Sequence, residues 1–320
     1  MTLFLTEHEV LELFPMEKAL ERVEASFHAQ QRAEAVNRSR ERLLLPHLSL
    51  HYMAAAIPEE KILGMKIYTV SRKAFRFLVL LFDSESGSLL ALIEADHLGR
   101  IRTGAASGVA TKYMARPNAS RVGLIGTGRQ ARTQLEAVAR VRIMTRAKVF
   151  SRDPNHRREF CREMSKQLGK EIEPAESAEE AVRFGDIVIT ATSSTQPVVQ
   201  GDWIRPGTHL NVIGANMAKR REVDSRTLER AGSIVVDSLE QAKKEAGDLL
   251  QGFSARPEGW EQVTELHQVV AGAQAVRKTD EEITIFKSCG IALWDVAAAG
   301  FIYREALKKG KGSELGILRD

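Results

Sequence analysis

The chain has 320 residues, 43% hydrophobic and 28% charged, with a formal net charge of +4 and a pI near 9.0. This is the balance of a soluble globular protein long enough for two domains and a large core. It excludes several classes: apolar runs such as residues 77–82 are too short to cross a bilayer, and the first ten residues carry Glu7 and Glu9 instead of the basic stretch of a secretory signal.

In chain order, Thr6-Glu-His-Glu9 resembles a capping box and opens a short helix to about residue 13. Pro15 starts a second helix, expected over 16–35, with Ala19, Leu20, Val23 and Phe27 at helical spacing. Strands are expected over 41–45, 51–57, 64–70, 75–83 and 88–94, with Asp83-Ser-Glu-Ser-Gly87 as the turn of a hairpin. A helix dense in small residues (Gly104, Ala105, Ala106, Ser107, Gly108, Ala110) follows over 95–115. From Arg121 the pattern becomes strand–helix alternation, with strands over 121–125, 147–151, 186–191, 209–213 and 233–237. These are mostly continuous apolar runs, the mark of a parallel sheet covered on both faces. A last Ala-rich helix, over 289–307, is expected to pack back on the N-terminal half, and the tail from Lys308 to fray. The fold class expected is α/β: a Rossmann-type doubly wound parallel sheet plus a discontinuous N/C-terminal α+β domain.

Two distant cysteines, Cys161 and Cys289, point to reduced thiols and a cytoplasmic address. Arginines cluster over 140–162 without a nucleic-acid motif or interleaved aromatics, so they read as a solvated face with phosphate contacts, and neither nucleic acid nor membrane is an expected partner. The eight histidines show no spacing with carboxylates or cysteines that resembles a metal site.

The most informative stretch is Arg-Val-Gly-Leu-Ile-Gly-Thr-Gly-Arg-Gln-Ala over 121–131. A short apolar strand runs into Gly126-x-Gly128-x-x-Ala131 and then a helix, the order of a dinucleotide-binding fingerprint. Gly126 allows the tight turn, Gly128 lets a pyrophosphate approach the backbone, and Ala131 lets helix and strand pack closely. The cofactor-binding set expected here is Gly126, Thr127, Gly128, Arg129 and Gln130, with the anion on unpaired N–H groups of the helix N-terminus. At the end of the next strand, where an acid would bind the ribose 2′-hydroxyl, stand Ser151 and Arg152. A hydroxyl followed by a guanidinium suits a 2′-phosphate, so NADP(H) is expected over NAD(H); Asp153, two residues on, is the acid near enough to compete. Thr192 and Ser193, after a parallel strand, are expected to line the same cofactor.

Arg42-Leu-Leu-Leu-Pro46, Gly64-Met-Lys66, Arg102-Thr-Gly-Ala-Ala106, Gly126-Thr-Gly-Arg-Gln-Ala131, the segment 207–216, Glu245-Ala-Gly-Asp248 and Phe286-Lys-Ser-Cys-Gly290 together resemble the ornithine cyclodeaminase/mu-crystallin family, in order and over essentially the whole chain. The resemblance implies a dinucleotide-binding domain over 116–289, a substrate-binding and dimerisation domain made of 1–115 and 290–320, a homodimer, and an active site in the cleft between the domains. It places Ser288 and Gly290 near the nicotinamide, and Arg42, Lys66 and Arg102 at the substrate carboxylate. Lys66 is the hardest of the three to dismiss on its own, because a strand interior seldom carries an unpaired lysine unless an anion or cleft receives it. Lys66 is expected to be the acid/base, its pKa lowered by the neighbouring arginines, with Arg42 and Arg102 as the clamp.

The departure from the family pattern is Asn216, where the cyclodeaminases and archaeal alanine dehydrogenases carry an aspartate. An amide can hydrogen-bond a substrate nitrogen but cannot act as a carboxylate base. With Ser151-Arg152 this favours NADPH-dependent reduction of a small cyclic ketimine acid, 1-pyrroline- or 1-piperideine-2-carboxylate. The alternatives are an ornithine cyclodeaminase, an alanine or other amino-acid dehydrogenase, and a non-catalytic NADPH-dependent binder.

Overall fold

The computed structural model describes residues 2–71 and 73–317, and the chain divides into two compact units: residues up to 102 with those from 291 onward, and residues 103–290. The first stretch runs β1 (Thr2–Leu5), α1 (Glu7–Leu13), α2 (Met16–Gln31), β2 (Val36–Asn37), β3 (Glu41–Leu44), β4 (Leu48–Ile57), β5 (Ile62–Ser71), β6 (Phe75–Asp83), β7 (Leu89–Glu94) and α3 (Asp96–Met114). Then come β8 (Arg121–Ile125), α4 (Arg129–Val141), β9 (Arg146–Phe150), α5 (Pro154–Leu168), β10 (Glu171–Pro174), α6 (Ala178–Phe184), β11 (Ile187–Thr190), β12 (His209–Val212), α7 (Ser225–Arg230), β13 (Ala231–Val236), α8 (Leu239–Glu245), α9 (Gly247–Gly252), β14 (Val263–Glu265), α10 (Leu266–Val270) and β15 (Ile283–Lys287). The chain returns to the first unit with α11 (Ala292–Lys309) and β16 (Ser313–Leu315).

The first unit is a mostly antiparallel sheet, β16-β1-β7-β6-β5-β4-β2, with β3 also paired to β4. The Thr6 capping box with Glu9 is present and starts α1. α2 stops at Gln31, short of the expected 35, because Ala33 turns into the left-handed region (φ 57°). Alternate residues of β4 and β5 are buried, which is the pattern of a sheet covered on one face. The cover is α11, apolar on nearly every side, with Trp294 packed edge-on against Phe27 of α2. The tail does not fray directly after Lys308: Ser313–Leu315 pairs antiparallel with β1. β1 itself, four residues long, carries too short an apolar signal to be expected from sequence.

In the second unit eight parallel strands lie in the order β10-β9-β8-β11-β12-β15-β13-β14. Residues alternate between two cores: Ile187 and Ile189 face the core of α4 and α5 with Leu135, Val138 and Phe160, whereas Val188 faces the other with Val182, Leu228 and Leu249. β15, in the middle of this sheet, was not among the expected strands. Its end carries Lys287, and the acidic 280–282 stretch before it reads as a loop. The sheet grows outward from β8 in both directions, through β9 on one side and β11 on the other, so its switch point is at the glycine turn. Cys161 and Cys289 are buried and form no disulfide. Among the described residues no helix is long and apolar enough to cross a membrane, and no cluster of His, Cys, Asp and Glu could hold a metal ion.

Candidate active site

At the carboxyl edge of the parallel sheet, Phe150, Ile125, Thr190, Val212 and Lys287 stand in one register row across five strands. The residues that follow them, Gly126, Ser151, Ala191, Ile213 and Ser288, therefore share one edge, where open α/β sheets bind ligands. Gly126 has φ +107°, and a Cβ there would stand 2.5 Å from the Ala191 carbonyl oxygen. Gly128 is the N-cap of α4 and supplies no side-chain cap; a Cβ there would meet no protein atom within 4 Å. That open space at the N-terminus of α4 is the cradle a pyrophosphate requires, so the residues present fit a dinucleotide. Thr127 is buried, its Oγ1 3.0 Å from His156 Nδ1; Arg129 is exposed and Gln130 half-buried.

Ser151 is half-buried and Arg152 exposed. Asp153 is committed elsewhere: it is the N-cap of α5, and its carboxylate accepts the backbone N–H groups of Asn155 (2.8 Å) and His156 (3.1 Å), which hold it below the usual carboxylate range. Its charge therefore serves the helix terminus.

Three fully buried carboxylates, none proposed from sequence as a site residue, fix the loops beyond the strands. Glu222 accepts hydrogen bonds from Thr190 Oγ1 (2.9 Å), Thr192 N (2.7 Å), Thr192 Oγ1 (2.8 Å) and Gly214 N (2.6 Å), tying the loop after β11 to the loop after β12. A side chain at Gly214 would run into the Thr192 backbone and Glu222. Asp248 accepts from the backbone N–H of Val223 (3.0 Å) and forms an ion pair with Lys287 (3.0 Å), whose ammonium also donates to the Ala215 carbonyl. Asp237 accepts from Ser288 Oγ (2.9 Å) and from the N–H groups of Cys289 (2.8 Å) and Gly290 (2.6 Å), so the Ser288 hydroxyl serves the turn. Burial raises the pKa of Glu222 and of Asp237. Burial works against the Lys287 ammonium, but Asp248 and Glu222 outweigh it and hold its pKa above the ordinary value. Ser193 is exposed, and Asn216 is half-buried on the loop after β12.

The cations gather in the first unit. Met53 pairs with Lys66 and His51 with Tyr68 across β4 and β5, so all four point to the sheet face that carries the Lys66 amine. Lys66 is 3% exposed, Arg102 5% and Asp295 0%. Lys66 Nζ donates to Asp295 Oδ1 at 2.7 Å, and Arg102 Nε donates to the same oxygen at 3.0 Å. The Lys66 ammonium lies 5.4 Å from the Phe77 ring centroid and the Arg102 guanidinium 5.5 Å from that of Trp294. Arg102 Nη1 and Asp295 Oδ2 are buried without a hydrogen-bond partner among the described residues. Two buried cations thus meet one buried carboxylate, and a guanidinium N–H remains to be satisfied. An anion is the group that satisfies it at least cost.

Burial is the largest cause of a lowered Lys66 pKa, about 8, with Arg102 and Arg40 pushing the same way and Asp295 opposing them. The lowering was expected from sequence; its main cause is desolvation, with like charge second. Besides Arg102, the buried Arg40 is within electrostatic reach, and sequence reasoning missed it. Arg42 is half-buried on β3 opposite His51 and bears on that ring: burial, Arg42 and Arg40 lower the His51 pKa to about 4, so it is neutral at pH 7. Asp295 was missed as well. Its signal was a lone acid in an otherwise apolar helix, Ala-Leu-Trp-Asp-Val-Ala. Gly99 is a third omission: a Cβ there would stand 2.8 Å from Lys66 Nζ, so the helix leaves a gap for the amine.

Residues 1–310 match the family model described as "Ornithine cyclodeaminase/mu-crystallin family". The chain is 37% identical over 264 residues to a delta(1)-pyrroline-2-carboxylate reductase of Bacillus cereus, covering 79% of this chain and 80% of that one. Its fold matches the Thermococcus litoralis delta(1)-pyrroline-2-carboxylate reductase solved with NADH and L-proline, with TM-score 0.93, 36% identity and coverage of 98% and 100% of the two chains. It also matches an archaeal alanine dehydrogenase dimer with bound NAD, with TM-score 0.94, 36% identity and 99% coverage of each. The chain belongs to the ornithine cyclodeaminase/mu-crystallin family.

Proposed function

We propose that the chain is an NAD(P)H-dependent reductase of a small cyclic ketimine acid, 1-pyrroline-2-carboxylate or 1-piperideine-2-carboxylate, yielding the cyclic amino acid. The observation that carries this reading is the shared Asp295 oxygen, which leaves one buried Arg102 N–H unpaired beside a lysine whose pKa is about 8. The similar reductases from Bacillus cereus and Thermococcus litoralis support the substrate class.

Arg102 Nη1 donates to the substrate carboxylate, a charge-assisted bond that sets the plane of the ring. Arg42 adds positive charge at the same carboxylate. Lys66, an ammonium below about pH 8, gives a proton to the imine nitrogen. The dinucleotide, when bound, supplies the hydride that the imine carbon takes up. Asn216 offers the ring nitrogen a hydrogen bond without a carboxylate's capacity to take a proton, which disfavours the deaminating reaction of the cyclodeaminases. Gly126, Thr127, Gly128, Arg129 and Gln130 hold the pyrophosphate, Ser151 and Arg152 receive a 2′-phosphate, and the 192–193 and 288–290 loops border the nicotinamide. NADPH is preferred over NADH because Asp153, the acid nearest the ribose position in sequence, is spent on capping α5. The chain forms a homodimer, as the similar alanine dehydrogenase does. Leu43, Leu44, Leu45, Leu48 and Phe75, exposed at one end of the first unit's sheet, supply apolar surface for it.

The test supplies NADPH or NADH with the cyclic imine, with ornithine, or with pyruvate plus ammonia, and follows nicotinamide absorbance and product. Consumption of NADPH with the cyclic imine alone is expected. Cofactor binding without turnover of any substrate overturns the reading in favour of a binding protein, and ammonia release from ornithine overturns it in favour of a cyclodeaminase.

A further inference from the structure

We propose that Asp295 is the positioning residue of this site: its Oδ1 locks the Lys66 ammonium and the Arg102 guanidinium to one point, so that proton donor and carboxylate clamp are aimed together. The proposal rests on the reductase reading for its substrate and on geometry for the residue. Asp295 is fully buried, and its Oδ1 accepts from Lys66 at 2.7 Å and from Arg102 at 3.0 Å. Because Arg102 spends its Nε on Asp295, the end of the fork, Nη1, is the part left for a ligand. Because Gly99 presents no side chain where the amine lies, Lys66 is held between α3, the Phe77 ring of β6 and the α11 carboxylate.

Asp295 also has an electrostatic effect. The charged groups acting most strongly on Lys66 include Asp295 from α11, Arg102 from α3 and Arg40 from the segment before β3; of these Asp295 alone favours the ammonium. His51, on the same sheet face, is neutral at pH 7, and the Phe77 ring carries no charge. Without Asp295, burial and two arginines act on Lys66 with their main opponent gone, and the amine gives up its proton at lower pH.

The experiment compares wild type with Asp295→Asn, Asp295→Glu and Gly99→Ala, each first checked for thermal unfolding and NADPH binding. Rates of cyclic imine reduction are then measured from pH 5.5 to pH 10. The wild-type rate is expected to fall above about pH 8. In D295N that descending limb moves down by about one pH unit or more, KM for the imine rises about tenfold, and cofactor affinity stays within about twofold. D295E restores the limb toward its wild-type position. G99A keeps every charge but displaces the amine, and kcat falls about tenfold or more. A D295N limb at the wild-type pH overturns the positioning role even where kcat is reduced, because a merely structural defect lowers the rate without moving the limb. Should D295N not fold, wild-type kcat in G99A overturns it instead. Wild type that reduces no cyclic imine defeats the reductase reading, and this role with it; wild type with a limb near pH 8 and an unmoved D295N defeats this role alone.

Discussion

In the first unit two buried cations, Lys66 and Arg102, share one oxygen of Asp295, and a guanidinium N–H is left over. In the second a buried cation, Lys287, stands among Asp248 and Glu222, and loop backbone and threonine hydroxyls hydrogen-bond to those carboxylates. The same ingredient, charge out of water, does opposite work. Under the proposed function, the excess of positive charge with an unfilled donor is what receives the substrate carboxylate. A carboxylate surrounded by the chain's own N–H groups is scaffold, which fixes loops and leaves nothing for a ligand. Burial and charge alone therefore do not mark a functional residue; the balance of charge around the buried group separates the two cases.

The strongest way to break this contrast is to remove one lysine from each unit. Lys66→Met is expected to lower kcat for imine reduction by about a thousandfold while unfolding temperature and NADPH affinity change little, because Arg102 still neutralises Asp295. Lys287→Met leaves Asp248 without its cation and is expected to cost about 3–5 kcal/mol, a fall in Tm on the order of 10 °C. If K66M unfolded and K287M did not, receptor and scaffold would be exchanged. Arg102→Lys tests the fork: a point charge in place of the planar donor pair is expected to raise KM for the imine acid about 30-fold with a smaller effect on kcat. Steady-state kinetics at saturating NADPH reads this directly.

The pH dependence sharpens the comparison further. Lys66 must be protonated to act as an acid, so imine reduction holds below about pH 8 and falls about tenfold for each pH unit above it. Oxidation of the cyclic amino acid, which needs the neutral amine, rises over the same range; rates that rise or fall together in both directions would remove Lys66 from the proton step. The smallest expected effect is at the sheet edge: Ser151→Asp should weaken NADPH binding about tenfold by placing a carboxylate at the 2′-phosphate, with little effect on NADH. An S151D variant that still prefers NADPH, measured by nucleotide fluorescence titration, refutes the cofactor assignment.

Much of this was legible in the sequence, because local chemistry writes local patterns. The Thr6 capping box, the Asp83–Gly87 turn and the strand–glycine–helix order at 121–131 rest on residues near one another in the chain, and each stands where its pattern indicates. Lys66 announced itself by being a charge inside an apolar strand. What escaped was long-range. Strand β15 takes its central place by pairing β12 and β13, which no local period records. Asp295 lies 229 residues from Lys66 along the chain, and Glu222 reaches Thr192 across 30.

The sequence by itself determined many of the elements and the glycine turn, and it singled out Lys66 as a charge inside an apolar strand, since steric freedom at Gly126 and the cost of an unpaired charge are properties of residues and their neighbours. Only the tertiary structure decided which acid holds that lysine, that burial more than like charge lowers its pKa, and that the buried Arg40 acts on it. Those outcomes depend on distance and desolvation, which come into being when strands and helices far apart in the chain are packed together.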